Sequence, residues 1–206
     1  LWKLVTEDPK IDEFINKLDS EFLNKEINPQ QKLVVFSESK ETTKYITNCL
    51  KKQGRTDVLE VNASNRDRLR ETIKVNFDAN IPREQYQSDY SIIICTEVLA
   101  EGVNLHRSNV IVNYDTPWNS TRLMQRIGRV NRIGSVAPNI HIFNFYPTAK
   151  VNNDIELEKK AIMKLQAFHS ALGEDSEIFS PDEEIQSFGL FEKDVDEEKD
   201  ERLAYL

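Results

Sequence analysis

The chain has 206 residues, of which 30% are charged, with a formal net charge of −8; that length suits one well-buried core with extensions. No apolar run reaches the roughly eighteen residues that a membrane-spanning helix needs, no leader pattern opens the chain, and the three histidines and two cysteines lack metal-ligand or disulfide spacing. The acidity is local: residues 174–206 hold thirteen Asp and Glu against three Lys and Arg, a balance of −10 that leaves residues 1–173 at +2, so a phosphate-bearing partner is not excluded.

Ile11, Phe14, Ile15, Leu18, Phe22 and Leu23 follow Pro9 at helical spacing and predict an amphipathic lead-in helix that closes near Asn28 and Pro29. Five short runs rich in β-branched residues then predict buried strands at residues 33–36, 58–61, 92–95, 110–114 and 140–146. Between the first two, Ser39 suits the N-cap of a helix whose Ile46, Cys49 and Leu50 face the core, with Gly54 just past its end. Ser64 suits the cap of the next helix, on which Leu69, Ile73 and Phe77 recur four apart. Residues 78–90 have no period and include Pro82, so they read as a surface excursion, and Ile155, Ile162, Leu165 and Leu172 predict a long helix ending at Gly173.

Strands alternating with helices imply right-handed crossovers and a doubly wound parallel sheet, an α/β fold with helices on both faces. The expected organisation is a lead-in helix over 1–29, an α/β body over 30–150, a helix over 151–173 and an acidic tail or linker over 174–206. The chain begins with Leu and is expected to be part of something longer. A cytoplasmic or nucleoid-associated setting, with no membrane, is the expectation.

The segment richest in chemistry is Gln125-Arg126-Ile127-Gly128-Arg129-Val130-Asn131-Arg132, placed on a helix after the fourth strand. On that helix Arg129 and Arg132, three apart, share a face, with Gln125 four residues before Arg129. A helix-interior glycine costs about 1 kcal/mol relative to alanine, so Gly128 predicts a close approach to the backbone. The plain alternative is a solvated basic helix; against it, the arginines lack alternating acidic partners and follow a buried strand whose carboxyl end is where ligands gather.

This segment resembles motif VI of superfamily 2 helicases, Q-R-x-G-R-x-x-R. The resemblance implies a RecA-like fold, and it makes Arg132 similar in role to an arginine finger, Arg129 a second phosphate-contacting arginine and Gln125 a polar residue beside the nucleotide. A planar guanidinium can neutralise the charge that phosphoryl transfer spreads over equatorial oxygens. Thr96-Glu97-Val98-Leu99-Ala100-Glu101-Gly102-Val103-Asn104-Leu105 resembles motif V, which implies a nucleic-acid phosphate contact for Thr96 and a place near the nucleotide for Gly102 and Asn104; by itself Gly-x-Asn is also a helix cap and turn. Glu101 departs from DEAD-box proteins, which usually carry arginine there.

Val35-Phe36-Ser37-Glu38-Ser39-Lys40 is similar to motif IV, and backbone amides at a helix start form an anion site, so Ser37, Ser39 and Lys40 are candidates to position one phosphate; a plain capped helix reads equally well. Asn62-Ala63-Ser64 stands where Swi/Snf-type proteins have Asp-Gly-Ser, and Ser64 and Arg66 are further strand-contact candidates. Asn113-Tyr114-Asp115-Thr116-Pro117-Trp118-Asn119 and Arg132-Ile133-Gly134 resemble Swi/Snf-type and RapA-like proteins, with Trp118 expected to pack rather than stack on bases.

The resemblance covers residues 30–147. It implies the second motor domain of an ATP-dependent DNA translocase that tracks duplex DNA backbone and uses ATP with Mg2+. No Gly-x-x-x-x-Gly-Lys-Ser/Thr loop occurs among the six glycines, so a first RecA-like domain is expected to hold the nucleotide and this chain alone to be inactive. An RNA helicase domain, or a RecA-like fold kept as a binding or scaffold module, is the alternative.

Overall fold

The computed structural model describes residues 8–99, 102–117, 120–132 and 134–146 and the backbone of residues 186–188. Helix α1 (Pro9–Lys17) runs into a π-helical turn at Leu18–Phe22. It is followed by β1 (Leu33–Phe36), α2 (Lys40–Lys52), β2 (Val58–Val61), α3 (Arg66–Phe77), β3 (Ile92–Cys95), β4 (Val110–Asn113), α4 (Ser120–Val130), β5 (His141–Phe145) and β6 (Gln186–Phe188). All five expected strands form, and β6 adds a sixth from within the acidic stretch. The expected helix over 155–172, and Ala100, Glu101, Trp118, Asn119 and Ile133, lie outside the described residues.

Every strand pairing is parallel, in the order β2-β3-β1-β4-β5-β6. Leu33 of β1 is in register with Ile92 of β3 and with Val110 of β4, so these strands end level at Phe36, Cys95 and Asn113. Side chains alternate across a strand, and the two faces found two core layers. One gathers Leu33, Val35, Ile92, Ile94, Val110 and Val112 under α1 and α2. The other gathers Val34, Phe36, Ile93, Cys95 and Ile111 under α3 and α4. This is the doubly wound parallel sheet, with its switch point at β1.

The lead-in helix belongs to this core. Phe14 and Phe22 are fully buried with Ile11 and Leu18 nearly so, and burying each such side chain contributes about 2 kcal/mol. Phe14 meets the Tyr114 ring edge-on at 5.7 Å, and Lys10 Nζ donates to Asp115 Oδ1 at 2.9 Å. The cap expectations divide. Ser39 Oγ accepts from the Thr42 amide at 3.0 Å, and Gly54 closes α2 at φ +87°, a left-handed conformation glycine adopts freely. Ser64, by contrast, does not cap α3: its hydroxyl goes to Asn62 Oδ1 at 2.6 Å, and Asn65 is the N-cap residue. Asn62 and Asn65 brace this turn, Asn65 Oδ1 accepting from the Asn62 amide at 2.8 Å.

The surface excursion of 78–90 is anchored at several points. Ile81 is buried, Tyr86 Oη donates to the Ala79 carbonyl at 3.0 Å, and the Arg107 guanidinium lies 4.0 Å from the Tyr86 ring centre.

Candidate functional site

Ser37, Thr96 and Tyr114 follow the carboxyl ends of the three central strands, so the segments carrying the sequence motifs meet along one edge of the sheet. Helix α4 enters this edge with Leu123, Ile127 and Val130 in the second core layer. The same face carries Arg126, three residues after Leu123 and four before Val130, and its side chain is 0% exposed. Arg126 Nε donates to Glu97 Oε1 at 2.8 Å and Nη1 to Asn113 Oδ1 at 2.8 Å and the Asp115 carbonyl at 2.9 Å, while Nη2 also meets Glu97. A buried guanidinium is tolerated only when paired and hydrogen-bonded. Arg126 is thus an internal strut joining α4, the turn after β3 and the end of β4. Sequence reading missed this role, although helical spacing put Arg126 on the apolar face and left Glu97 as a partner on the neighbouring motif.

The other arginines are placed differently. Arg129 is half-buried, and its carbonyl accepts from the Leu105 amide at 2.9 Å, tying the loop after β3 to α4. Arg132 is exposed and lies two residues beyond the end of α4, which corrects the expectation that both ride one helical face. It folds back instead: Arg132 Nε donates to the Gly128 carbonyl at 3.0 Å, satisfying a helix-end acceptor, and Nη1 donates to Asn104 Oδ1. Among the described residues no carboxylate pairs with Arg132. Arg132 and Asn104, both predicted to lie near a nucleotide, are therefore in direct contact. Gln125 is exposed on α4.

The two glycines of the motifs differ. A Cβ at Gly128 would meet nothing within 4 Å, so the expected close approach does not come from the described residues of this chain. Gly102 has φ +76°, and a Cβ there would stand 2.7 Å from Arg66 Nη2. Its lack of a side chain is thus required by backbone conformation and lets Arg66 come close.

The predicted strand-contact residues separate. Lys40, Ser64 and Thr96 line one groove of about 450 Å³ with Glu38, Asn62 and Glu97. Ser37 does not reach it. Its side chain is fully buried and donates to Asp115 Oδ2 at 2.6 Å, beside the Lys10 ammonium of α1 that the same carboxylate accepts from. Ser39 is half-buried and occupied as the cap of α2, and Arg66 sits against Gly102. Asp115 also accepts from Lys10 and from the Glu38 amide. Burial opposes its charge, but the Lys10 ammonium and the Ser37 hydroxyl overcome this and hold the carboxyl below its usual range.

Behind Arg132 lies His106, buried, with Nδ1 3.7 Å from Asp78 Oδ1. Burial lowers the basicity of this imidazole, the Arg132 charge acts in the same direction, and Asp78 opposes both.

Comparison with known proteins finds helicases among the relatives. The chain is 35% identical over 98 residues to the uncharacterized ATP-dependent helicase YqhH of Bacillus subtilis (strain 168), covering 48% of this chain and 17% of the relative. It is 30% identical over 144 residues to the ATP-dependent RNA helicase DBP2 of Candida glabrata, covering 69% and 24%. The chain thus spans about a quarter or less of the length of these curated relatives. In fold it resembles the C-terminal part of the Fun30 ATPase domain, with a TM-score of 0.57 at 20% identity over 74% of this chain and 44% of that one. It also resembles S. cerevisiae Dbp5 bound to RNA and ADP BeF3, with a TM-score of 0.54 at 18% identity over 88% and 38%. These likenesses make the sheet RecA-like. The family model for the helicase conserved C-terminal domain matches residues 13–134, beginning inside α1 and closing just beyond Arg132; the chain belongs to that family.

Proposed function

We propose that this chain is the second motor domain of an ATP-dependent DNA translocase or helicase, of the Swi/Snf-type or RapA-like branch, working with a first RecA-like domain. The observation that carries the reading is the Arg132 guanidinium, exposed without a carboxylate partner among the described residues and held against Asn104 at the sheet edge. An arginine solvated for its own sake needs no such tether; one meant for a phosphate on another surface does.

The residues fit half of a nucleotide site. Arg132, Arg129, Gln125, Gly102 and Asn104 offer cationic and amide groups suited to a triphosphate tail, whereas the sequence has no glycine-rich phosphate loop. ATP, with Mg2+, would supply the phosphoanhydride bond, held mainly by the first domain. Arg132 would neutralise charge that grows on the transferred phosphoryl oxygens, as a forked planar donor that lysine does not replace. Lys40, Ser64 and Thr96 would follow the backbone of a duplex by phosphate contacts that carry no sequence information.

In the complete protein, Arg132→Ala is expected to lower DNA-stimulated ATPase by about 10³, on the precedent of arginine fingers. Unchanged turnover would refute the reading. The RNA helicase named among the relatives supports RNA as the second reading, and comparing stimulation by duplex DNA with that by RNA separates the two.

A further inference from the structure

Asp78 ends α3 and is fixed in place. The preceding Phe77 is fully buried in the second core layer and its carbonyl accepts from the Arg107 amide at 3.0 Å. The Asp78 side chain is only 13% exposed. Its Oδ1 accepts from the Asn80 amide at 2.8 Å, and its Oδ2 accepts from Asn104 Nδ2 at 3.2 Å. Asn104 Oδ1 then accepts from Arg132 Nη1.

The order of these contacts is set by hydrogen-bonding capacity. An ionised carboxylate only accepts, a guanidinium only donates, and an amide has one end of each kind. Asp78 therefore compels the Asn104 amide to turn its nitrogen inward, and the oxygen is left facing Arg132. Without that acceptor the amide is free to flip and present its NH2 to the guanidinium, donor against donor.

We infer that Asp78 is a positioning residue for Arg132, acting through the Asn104 amide to hold the guanidinium at the sheet edge before the two motor domains close. The inference rests on the reading of Arg132 as the finger. It gives a function to the start of the 78–90 excursion, which the motifs did not assign.

The test is a double-mutant cycle in the complete protein, read as steady-state nucleic-acid-stimulated ATPase. Asp78→Ala is expected to lower kcat about tenfold, the worth of one hydrogen bond, with KM for ATP unchanged within about twofold because the loss falls in the transition state. In the Arg132→Ala background the same substitution is expected to cost nothing further, since coupled residues are not additive. An equal fold-loss in both backgrounds, or a rise in KM alone, would mark Asp78 as merely structural and overturn the inference while leaving Arg132 in its role. Full activity in Arg132→Ala would overturn both. Should Asp78→Ala fail to fold, Asp78→Asn keeps an acceptor for the Asn80 amide, and the same cycle applies with a smaller fall in kcat: a loss confined to the protein that retains Arg132 supports positioning, and an equal loss in the Arg132→Ala protein rejects it.

Discussion

Two arginines six residues apart in sequence are expected to respond to alanine in opposite ways. Arg126 is 0% exposed and gives its hydrogen bonds to Glu97, Asn113 and the Asp115 carbonyl. Removing it leaves a fully buried Asn113 oxygen without that donor, and each such orphan costs about 1–3 kcal/mol. Breaking a buried ion pair from one side costs about 3–5 kcal/mol. Glu97 is 29% exposed and regains some hydration, which places the loss for Arg126→Ala at about 3–4 kcal/mol. Arg132→Ala touches an exposed side chain and is expected to stay within about 0.5 kcal/mol of wild type. Urea unfolding of the chain followed by far-UV circular dichroism measures both. An Arg126→Ala loss below about 1 kcal/mol would refute the strut, and an Arg132→Ala loss as large as that of Arg126→Ala would make Arg132 a structural residue.

The two glycines give another opposed pair. Gly128→Ala meets open space within the helix and is expected to stabilise the chain by about 0.5–1 kcal/mol, whereas Gly102→Ala, at φ +76°, is expected to cost about 1–2 kcal/mol. Thermal unfolding midpoints rank the pair. Asp115 supplies a pH dependence. Burial alone would raise its pKa, but Lys10 and Ser37 depress it, so its contribution is present above the unfolded value of about 4 and is lost as pH falls through the lower folded value. Urea midpoints measured downward from about pH 5 should fall more steeply in wild type than in Asp115→Asn; parallel curves would contradict this.

The alternating pattern of apolar runs and helical periods made the sheet legible, because buried parallel strands carry continuous β-branched runs such as Ile92–Cys95. Ser39 and Gly54 were legible for local reasons, a hydroxyl acceptor at a helix start and a left-handed residue past its end. The errors arise where tertiary contacts outweigh local ones. Ser64 has cap chemistry, but Asn62 accepts its hydroxyl. Ser37 matches a phosphate-contact position, yet its hydroxyl donates a hydrogen bond to Asp115, 78 residues away. The lead-in helix is legible as an amphipathic helix, but nothing in its period discloses that Phe14 meets Tyr114. The contact of Arg132 with Asn104 is carried by a backbone bond between Leu105 and Arg129, which no spacing encodes. A glycine inside a helix predicts a close neighbour, whereas the described residues leave Gly128 open.

Single-turnover hydrolysis at saturating ATP and duplex DNA, comparing the complete protein with its Arg132→Ala variant, addresses the central claim most directly. The account predicts that the hydrolysis step slows by about 10³ while the dissociation constant for ATP stays within about threefold, because the guanidinium acts on charge that develops only in the transition state. A hydrolysis rate equal to wild type, or a loss confined to ATP binding, would contradict it.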